Sequence, residues 1–355
     1  MKKLIIAVTP GDPAGIGPEL LWRIASHSTP SAPWRKKASL LCVGARKPFE
    51  KLGAQIVETD LVSLKQGEEP PKSKRPLIWL LPAPEFAPKQ LKKQNLFVPG
   101  YQAGWSIQTA VQLLQLNLAH ALVTGPIHKE RLWRGGFHFP GHTEFLASLC
   151  GNPHVTPHVT PHVTMMLSNQ DLRVTLVTTH LSLKEVSQNL NVKQIMRTIQ
   201  STVKHLQDWW GIKTPKIAVA ALNPHAGESG LFGDEEIRVI RPSIQLARKA
   251  LRNTALIEGP LPADTLFAKH LFTPKKKRYD AVVCMYHDQG LIPVKLLDFP
   301  RTVNVTLGLP IVRTSVDHGV AFDLVGTGKA DPSSFMAALQ MGIDIASRLR
   351  RKGEK

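Results

Sequence analysis

The chain has few cysteines and no long apolar run. Only three of its 355 residues are cysteines, Cys42, Cys150 and Cys284, and no two of them form a CxxC pair. This odd, scattered set excludes a disulfide framework and a thiolate zinc site, and it favours a reducing compartment. No apolar run approaches the ~20 residues that a membrane-spanning helix needs. The opening MKKLIIAVTPGDPAG begins like a signal peptide, but its apolar stretch is too short, so we expect a first β-strand in a cytoplasmic protein.

Acidic residues are scarce relative to basic ones. Asp and Glu number 27 against 45 Lys and Arg, which gives a formal net charge of +18. Such an excess can indicate nucleic acid, an anionic membrane surface or a phosphorylated substrate. The basic runs are dispersed, aromatic residues make up only 6%, and no helix-turn-helix, zinc-finger or RNP pattern occurs. We therefore expect neither nucleic acid nor a membrane as partner, and a basic nucleic-acid-binding protein is the distant alternative.

One repeat is present, and it contains histidine. HVTPHVTPHVT, from His154 to Thr164, places a histidine at every fourth position. Proline inside a helix costs ~3 kcal/mol, so Pro157 and Pro161 predict extended chain rather than a helix with a histidine face. A tandem duplication of PHVT would give the same pattern. The repeat is therefore not interpreted as a metal site.

The rest of the chain indicates an α/β protein. Apolar, β-rich runs alternate with helical patterns, which is typical of a mostly parallel sheet. The clearest runs are LIIAV, ASLLCVG, ALVTG, LRVTLVTTH, KIAVAALNPH and YDAVVCMYH. The Pro- and Lys-rich span from Lys65 to Gln94 is interpreted as a surface excursion. No long linker divides the chain, so any domain division is predicted to be interwoven.

Three histidines follow hydrophobic runs at matching places. His180 ends VTLVTTH, His225 follows IAVAALNP and His287 follows AVVCMY. The carboxyl ends of parallel strands meet at one edge of a sheet, where ligands bind in α/β proteins. Three imidazoles with an open fourth position are typical of a catalytic divalent-metal site, and zinc is the natural metal for them. For each histidine taken alone, a hydrogen-bonded structural role is the alternative.

Two loops beside these histidines carry acid–base groups. Residues 223–236, NPHAGESGLFGDEE, are rich in glycine and carboxylates, a composition that favours a loop that shapes a site. Residues 287–295, HDQGLIPVK, bring Asp288 and Lys295 near the third histidine. We interpret these two as a pair that could transfer the proton of a substrate alcohol or enol. A helix-capping role is the alternative for Asp288.

Other polar residues indicate an anionic substrate. His142 and Thr143 stand at the predicted start of a helix, where free backbone N–H groups favour anions. Lys295, Asn304 and Arg313 follow one another at intervals of nine, and their cations suit a phosphate or carboxylate. The glycine-rich segments 9–19 and 317–330 match neither GxGxxG nor the Walker pattern, so they do not by themselves predict a phosphate loop.

Seven segments together resemble the 4-hydroxythreonine-4-phosphate dehydrogenase family of vitamin B6 biosynthesis. They are VTPGDPAGIGPEL, ALVTGPIHKE, PGHTEFLA, TTHLSL, NPHAGESGLFGDEE, MYHDQGLIPVK and VNVTLGLPIVRTSVDHGVAFDLVGTGKADP, and the match as a whole runs from Ala7 to about Ser334. The resemblance implies NAD-dependent oxidation of the C3 alcohol of 4-phosphohydroxy-L-threonine, followed by decarboxylation to 3-amino-2-oxopropyl phosphate. It also implies NAD or NADP as cofactor and one divalent metal ion per subunit, zinc first, with magnesium and cobalt as alternatives.

The resemblance further implies an architecture. It is that of the isocitrate/isopropylmalate dehydrogenases, two interleaved α/β/α subdomains around a cleft. Residues 1–125 with 308–355 would form the first subdomain, and residues 126–307 would form the second, with the metal ligands and dimer contacts. The protein would be a homodimer with its active site at the subunit interface.

The family's site residues carry over motif by motif. The metal ligands fall on His180, His225 and His287. The substrate contacts fall on His142, Thr143, Lys295, Asn304 and Arg313. By analogy with related dehydrogenases, the nucleotide would lie along DHGVAFDLVGTG, at His318, Gly319, Asp323 and Gly326.

The chain departs from the family pattern at one point, and its substrate is open at another. The PHVT copies lengthen the link between the GHTEFLA helix and the VTMML strand, outside the catalytic motifs. Related enzymes oxidise four-carbon sugar-acid phosphates such as erythronate or threonate 4-phosphate, which lack the substrate amine. The sequence alone leaves this alternative substrate open.

Overall fold

The computed structural model of the chain describes residues 2–27, 32–86, 97–151, 162–252 and 254–353. Residues 152–161, most of the PHVT repeat, lie outside these ranges, so extended chain there stays a prediction. The strands are β1 (Leu4–Thr9), β2 (Ala38–Gly44), β3 (Ile56–Glu58), β4 (Ile78–Pro82), β5 (Ala121–Thr124), β6 (Thr164–Ser168), β7 (Arg173–Leu176), β8 (Lys216–Ala220), β9 (Leu256–Leu261), β10 (Ala281–Cys284), β11 (Val303–Leu307) and β12 (Arg313–Ser315).

Helices alternate with these strands. They are α1 (Gly17–His27), α2 (Pro33–Lys37), α3 (Lys47–Lys51), α4 (Leu61–Lys65), α5 (Val98–Gln115), α6 (Lys129–Arg134), α7 (His142–Cys150), α8 (Leu183–Asn189), α9 (Val192–His205), α10 (Arg241–Leu251), α11 (Ala263–Phe272), α12 (His287–Asp298) and α13 (Ser333–Gly353). None of the helices in the described ranges has the length and apolarity needed to cross a membrane. The predicted α/β class is confirmed.

The chain forms two compact units. The first comprises Met1–Val163 and Leu309–Lys355, and the second comprises Thr164–Gly308. Residues 126–163 therefore belong to the first unit, whereas the sequence had placed them in the second. The reason is burial, because Leu132 of α6 and Phe145 of α7 are enclosed in the same hydrophobic cluster as α5.

In the first unit, every described strand pair is parallel. The strand order is β3-β4-β2-β1-β5-β12. Parallel strands covered on both faces are apolar along their whole length, and Ile6, Ala7 and Val8 of β1 are all fully buried. The first-strand prediction is thus confirmed.

One sequence interpretation in this unit was wrong. Residues 65–94 are not simply a surface excursion, because LIWLLP within them forms β4, which lies between β2 and β3. Trp79 and Leu80 of this strand are buried. The lysines and prolines on both sides of the short apolar run are typical of a surface loop, so the sequence did not indicate that the run itself forms an interior strand.

The sheet of the second unit is mixed. Its order is β11-β6-β7-β10-β8-β9, with β6 antiparallel to both neighbours and the remaining pairs parallel. The parallel run β7-β10-β8 contains the three strands after which the candidate metal histidines follow. Their loops therefore leave the sheet at one edge.

A buried histidine links the helix α9 to the end of β11. The ring of His205 donates from Nδ1 to the Ser201 carbonyl at 2.7 Å and accepts at Nε2 from the Gly308 backbone N–H at 3.1 Å. A neutral imidazole satisfies both contacts, whereas a protonated ring has no acceptor left. Burial lowers the pKa of His205 below its usual value, an effect that the hydrogen bond to Ser201 only partly opposes.

The stability of the protein should therefore fall in mild acid. Because the folded-state pKa is lowered, the unfolded chain takes up protons first, and stability is lost as the pH falls below about 6.5. We expect His205→Gln to cost about 1–2 kcal/mol at neutral pH, through the lost hydrogen bonds. The substitution should also reduce the decrease in the free energy of unfolding at acid pH. Urea unfolding over a pH series measures this decrease.

The matched control is His138→Gln, whose exposed ring rests on Trp133. This variant should keep the wild-type dependence on pH. If the stability of H205Q fell with pH in parallel with that of the wild type, His205 would not be a source of the acid-dependent loss.

Candidate active site

The predicted site residues fall into two groups, one in each unit. The second unit holds six of them: His180, His225, His287, Asp288, Lys295 and Asn304. The first unit holds the other seven: His142, Thr143, Arg313, His318, Gly319, Asp323 and Gly326.

The three histidines follow adjacent parallel strands, as the sequence predicted. His180 lies beyond the end of β7, His287 beyond β10 and His225 beyond β8. The strands end three to five residues before the histidines, earlier than the apolar runs suggested. The imidazoles are therefore carried by the turns above the sheet edge.

Two of the imidazoles come together. The ring centroids of His180 and His287 are 5.9 Å apart. His287 begins α12, and its Nδ1 lies 2.7 Å from Oδ1 of Asp288. In the tautomer that donates Nδ1–H to this carboxylate, Nε2 carries the lone pair, which is the arrangement that orients a metal-binding histidine. Asp288 thus holds a ring in place, a role that the sequence did not suggest.

The loop that carries His225 has an unusual backbone. Pro224–Gly230 forms a tight turn in which His225, Ala226, Gly227, Glu228 and Ser229 all have positive φ, between 43° and 81°. Only glycine adopts this region freely, and other residues pay roughly 1–2 kcal/mol each. Such strain persists where surrounding contacts hold it, commonly at functional sites. The ring of His225 is exposed, with Glu228 3.4 Å from its Nδ1 and Phe232 edge-on to it.

The fully buried carboxylate of Glu236 holds this loop. One of its oxygens accepts the backbone N–H groups of Leu222 and Asn223, both at 2.8 Å, and the other accepts Nδ2 of Asn223 at 2.9 Å. A Cβ on Gly227 would lie 2.8 Å from Glu236, so the glycine admits the carboxylate. The sequence marked this segment as rich in carboxylates but did not single out Glu236.

Gln289 ties the His287 turn to the neighbouring strand end. Its side-chain oxygen accepts the Met285 backbone N–H at 2.7 Å, and its amide donates to the Ala221 carbonyl at 2.6 Å. The residue is buried, so these contacts are made away from water. Gln289 was not predicted from the sequence, although its position in HDQG, two residues after the histidine, was a usable signal.

Within one chain, the histidines fit a metal only in part. Two imidazoles that share a tetrahedral cation, with metal–nitrogen distances of ~2.0–2.1 Å, have ring centroids about 5 Å apart. His180 and His287 approach that separation. However, no group of three His, Cys, Asp or Glu side chains suited to a metal ion occurs in the described parts of the chain, so His225 does not join them there.

The remaining residues of this group lie on α12 and β11. Lys295 is seven residues after Asp288 on α12, which places them on the same face and about 10 Å apart along the axis. Its Nζ lies 5.5 Å from the centre of the Phe299 ring. Asn304 is half-buried on β11 and is paired in register with Leu167 of β6.

In the first unit, Arg313 is a buried cation. It opens β12, and its Nε and Nη2 donate to the Thr124 hydroxyl at 3.1 and 2.8 Å. Burial lowers the pKa of Arg313 to about 9. A desolvated guanidinium of this kind gains stability when an anion reaches it.

His142 and Thr143 start α7, as the sequence predicted. Burial, reinforced by the charge of Arg313, holds the pKa of His142 well below its usual value, so the ring is neutral at physiological pH. Its Nε2 is enclosed and has no hydrogen-bond partner among the described residues. An enclosed imidazole nitrogen next to a cation and a helix start is suited to binding an anionic group.

The four predicted cofactor residues lie together in the loop after β12. The Nδ1 of His318 is 2.9 Å from the Gly319 carbonyl, and Asp323 is exposed. Gly326 has φ +74° and donates its backbone N–H to Glu19 of α1 at 3.0 Å. The loop therefore rests on the start of α1.

An ion pair and an aromatic ring hold the same loop. Asp12, which is 1% exposed, pairs with Arg131 at 3.3 Å. The guanidinium of Arg131 lies over the Phe322 ring at 4.1 Å from its centre. The early glycine-rich segment thus supports this loop, and a Cβ on Gly11 or Gly17 would collide with Pro126 or Pro10. Sequence analysis missed Asp12, Arg131 and Phe322.

Comparison with known proteins gives the same family that the motifs suggested. The family described as pyridoxal phosphate biosynthetic protein PdxA matches residues 36–342. The 4-hydroxythreonine-4-phosphate dehydrogenases of Desulfosudis oleivorans and Caulobacter vibrioides are each 42% identical to this chain, over 98% and 97% of its length and 98% of theirs. The chain belongs to the 4-hydroxythreonine-4-phosphate dehydrogenase family.

A solved structure of the family agrees with this fold. The 4-hydroxythreonine-4-phosphate dehydrogenase of Klebsiella pneumoniae superposes with a TM-score of 0.80 at 35% identity, over 98% of each chain. The predictions of family, α/β fold and oxidoreductase class are confirmed. The site residues assigned by the motifs stay predictions.

Substitution of Glu236 in this family member should loosen the His225 loop. In Glu236→Gln, one acceptor becomes an NH2 group that faces donors, so we expect a loss of about 1–3 kcal/mol in the free energy of unfolding. Amide hydrogen exchange should accelerate in residues 222–236. The control Asp234→Asn removes an exposed carboxylate paired with Arg238 and should change stability by less than about 0.5 kcal/mol. Equal effects of the two variants would refute this anchoring role.

Substitution of Arg131 should release the loop after β12. Arg131→Met leaves Asp12 buried without its cation, which we expect to cost about 3 kcal/mol. Exchange should accelerate in residues 316–330. The control Arg134→Met, on the same helix, breaks an exposed pair with Glu130 and a contact with the Phe97 ring, neither of which involves the loop, and should leave both measurements near wild type. Unchanged amide exchange of residues 316–330 in the R131M variant would show that Arg131 does not hold this loop.

Proposed function

We propose that the chain oxidises the C3 alcohol of 4-phosphohydroxy-L-threonine with NAD and then decarboxylates the product to 3-amino-2-oxopropyl phosphate, in pyridoxal phosphate biosynthesis. Family membership over nearly the whole chain supports the reaction and the substrate. The observation that carries it in the molecule is the buried Arg313 beside neutral His142, a receptor for an anionic group.

Substrate binding is proposed for the five residues that the family motifs indicate. Arg313, His142 and Thr143 would hold one anionic end of the substrate through a cation, an imidazole and the start of α7. Lys295 and Asn304 would supply a second cation and an amide. The four-carbon substrate has a phosphate and a carboxylate, so two basic groups match its two anionic ends.

Acid–base chemistry is proposed for α12. Oxidation removes a hydride from C3 and a proton from its oxygen, and decarboxylation later returns a proton to carbon. We propose Lys295 and Asp288 as the residues that exchange these protons. Asp288 would also keep Nε2 of His287 oriented, through the contact at Nδ1.

A divalent cation, when bound, would supply Lewis-acid polarisation of the oxygen that is oxidised. We propose His180, His225 and His287 as its ligands, with zinc first and magnesium or cobalt as alternatives. His180 and His287 already approach each other in one chain. Because His225 does not join them there, we propose that the third imidazole is supplied by the other subunit of a homodimer, so that the active site lies at the subunit interface.

The nicotinamide nucleotide is proposed to bind the loop with His318, Gly319, Asp323 and Gly326, with NADP as the alternative to NAD. The enclosed Nε2 of His318 has no partner among the described residues and would suit a ligand oxygen. The loop is supported by α1 and by Arg131, which would limit its movement on binding. A reducing cytoplasm is the proposed location, in keeping with three free cysteines.

The test is NADH formation from 4-phosphohydroxy-L-threonine by the purified full chain. We expect turnover that a chelator abolishes and that added zinc, magnesium or cobalt restores. Arg313→Met should lower kcat/KM by about 100-fold or more, because a charge-assisted contact to the substrate is lost in a buried site. Arg46→Met, which loses an exposed cation paired with Glu50 and Glu58, is the matched control and should keep wild-type kinetics.

Three outcomes would count against parts of the proposal. Faster turnover of erythronate or threonate 4-phosphate would reject the aminated substrate. Turnover that survives chelation would reject the metal. Wild-type kinetics in R313M, with the fold intact by circular dichroism, would remove Arg313 from substrate binding.

A further inference from the structure

A large cavity lies in the first unit, at the edge of its sheet opposite the loops that carry Asp12 and His318. Its volume is about 990 Å³, and its lining includes Lys3, Ala38, Ile78 and His120. These residues precede or begin β1, β2, β4 and β5, so the cavity is at the amino ends of the parallel strands. The loops with Asp12 and with His318 follow carboxyl ends instead, about 20 Å away along a six-residue strand.

The floor of the cavity is apolar. Leu40, Leu64 and Leu118 line it together with the indole rings of Trp34 and Trp79. Pockets that bind small organic molecules have volumes of roughly 300–1,000 Å³ and combine an apolar lining with a few polar groups. A cavity of this size would be mostly unfilled by an inorganic ion alone. Its dimensions therefore suit an organic ligand.

The rim of the cavity is strongly basic. Seven lining residues are lysine or arginine and only two are carboxylates. Both carboxylates are engaged, because Glu69 pairs with Lys2 at 3.5 Å and Glu68 accepts the hydroxyl of Thr59.

Several of the rim cations have no carboxylate partner in the described part of the chain. Among the described residues, no carboxylate lies within ion-pair distance of four of them: Lys3, Lys72, Lys74 and Arg75. Several cations without carboxylate partners attract a dianion more strongly than a monoanion, and lysine is a common phosphate ligand.

We propose that this amino-edge cavity binds a small organic phosphate, with its ring or hydrocarbon body on the leucine and tryptophan floor and its phosphate among the basic residues of the 72–75 segment. The site is separate from the proposed nucleotide-binding loop of the same unit, which follows the carboxyl end of β12. The ligand would therefore be an effector of this enzyme rather than its substrate. Its binding would stabilise the first unit, since the lining includes residues at the starts of four of its strands.

The experiment is a calorimetric titration of the full chain with pyridoxine 5′-phosphate, which combines a flat ring with a phosphate and lacks an aldehyde that would react with lysine. Pyridoxine and inorganic phosphate are titrated separately, to test the ring and the phosphate alone. We expect saturable binding of the phosphorylated ring, and at least about tenfold weaker binding of either part.

Two charge-reversal variants assign the binding to this cavity. K74E/R75E changes exposed residues of the rim, and K276E/K277E makes the same change in net charge at an exposed turn of the second unit. The first should weaken binding at least about tenfold and the second should leave it unchanged, while both keep wild-type dehydrogenase kinetics.

The proposal is overturned if K74E/R75E binds as tightly as wild type. It is equally overturned if pyridoxine or inorganic phosphate binds as tightly as the phosphorylated ring, or if no saturation occurs up to about 5 mM. Dehydrogenase activity is measured on the same samples. A failure of the proposed reaction is thereby distinguished from a failure of ligand binding in the cavity.

Discussion

Parallel pairing of β7 with β10 and of β10 with β8 determines where the three histidine-bearing loops of the second unit leave the sheet. A register that matches Cys284 with Leu176 and Val283 with Val219 places the three strand ends at one level. The loops can then vary in length and conformation while their first residues stay adjacent. The hydrogen bonds of Gln289 connect two of these loops directly and keep the start of α12 against the end of β8.

Much of this arrangement could be predicted from the sequence, because it follows from local patterns. The apolar runs located β1, β2, β5, β8 and β10, and the histidines beyond three of the runs indicated the edge. The conformation of His225 could not be predicted, since it depends on which of several carboxylates in the same segment binds the backbone of Leu222 and Asn223, and the local sequence does not single out Glu236. A short strand such as β4 was missed because flanking lysines and prolines outweighed its few apolar residues.

In the first unit too, contacts between residues that are distant in sequence could not be predicted from local patterns. Asp12 and Arg131 are separated by more than a hundred residues, and nothing in either local sequence indicates that they pair. The glycine-rich turn has a separate cause, since Gly11 and Gly17 allow the backbone of Pro126 and of Pro10 to approach where any side chain would collide. Sequence patterns could only show that this turn is not a standard phosphate loop. The boundary between the units was misplaced for a related reason, because the packing of α6 and α7 on α5 is tertiary.

The discontinuity of the first unit has a consequence for synthesis on the ribosome. The sheet partner of β5 on one side is β12, and β12 is translated only after the whole second unit. Until then the nascent first unit has an open, apolar strand edge at β5, the kind of edge that pairs with other chains. Completion also brings in α13, whose Ala338 carbonyl accepts the Thr314 hydroxyl. Truncation near the carboxyl terminus would therefore expose the interior of the part that is made first.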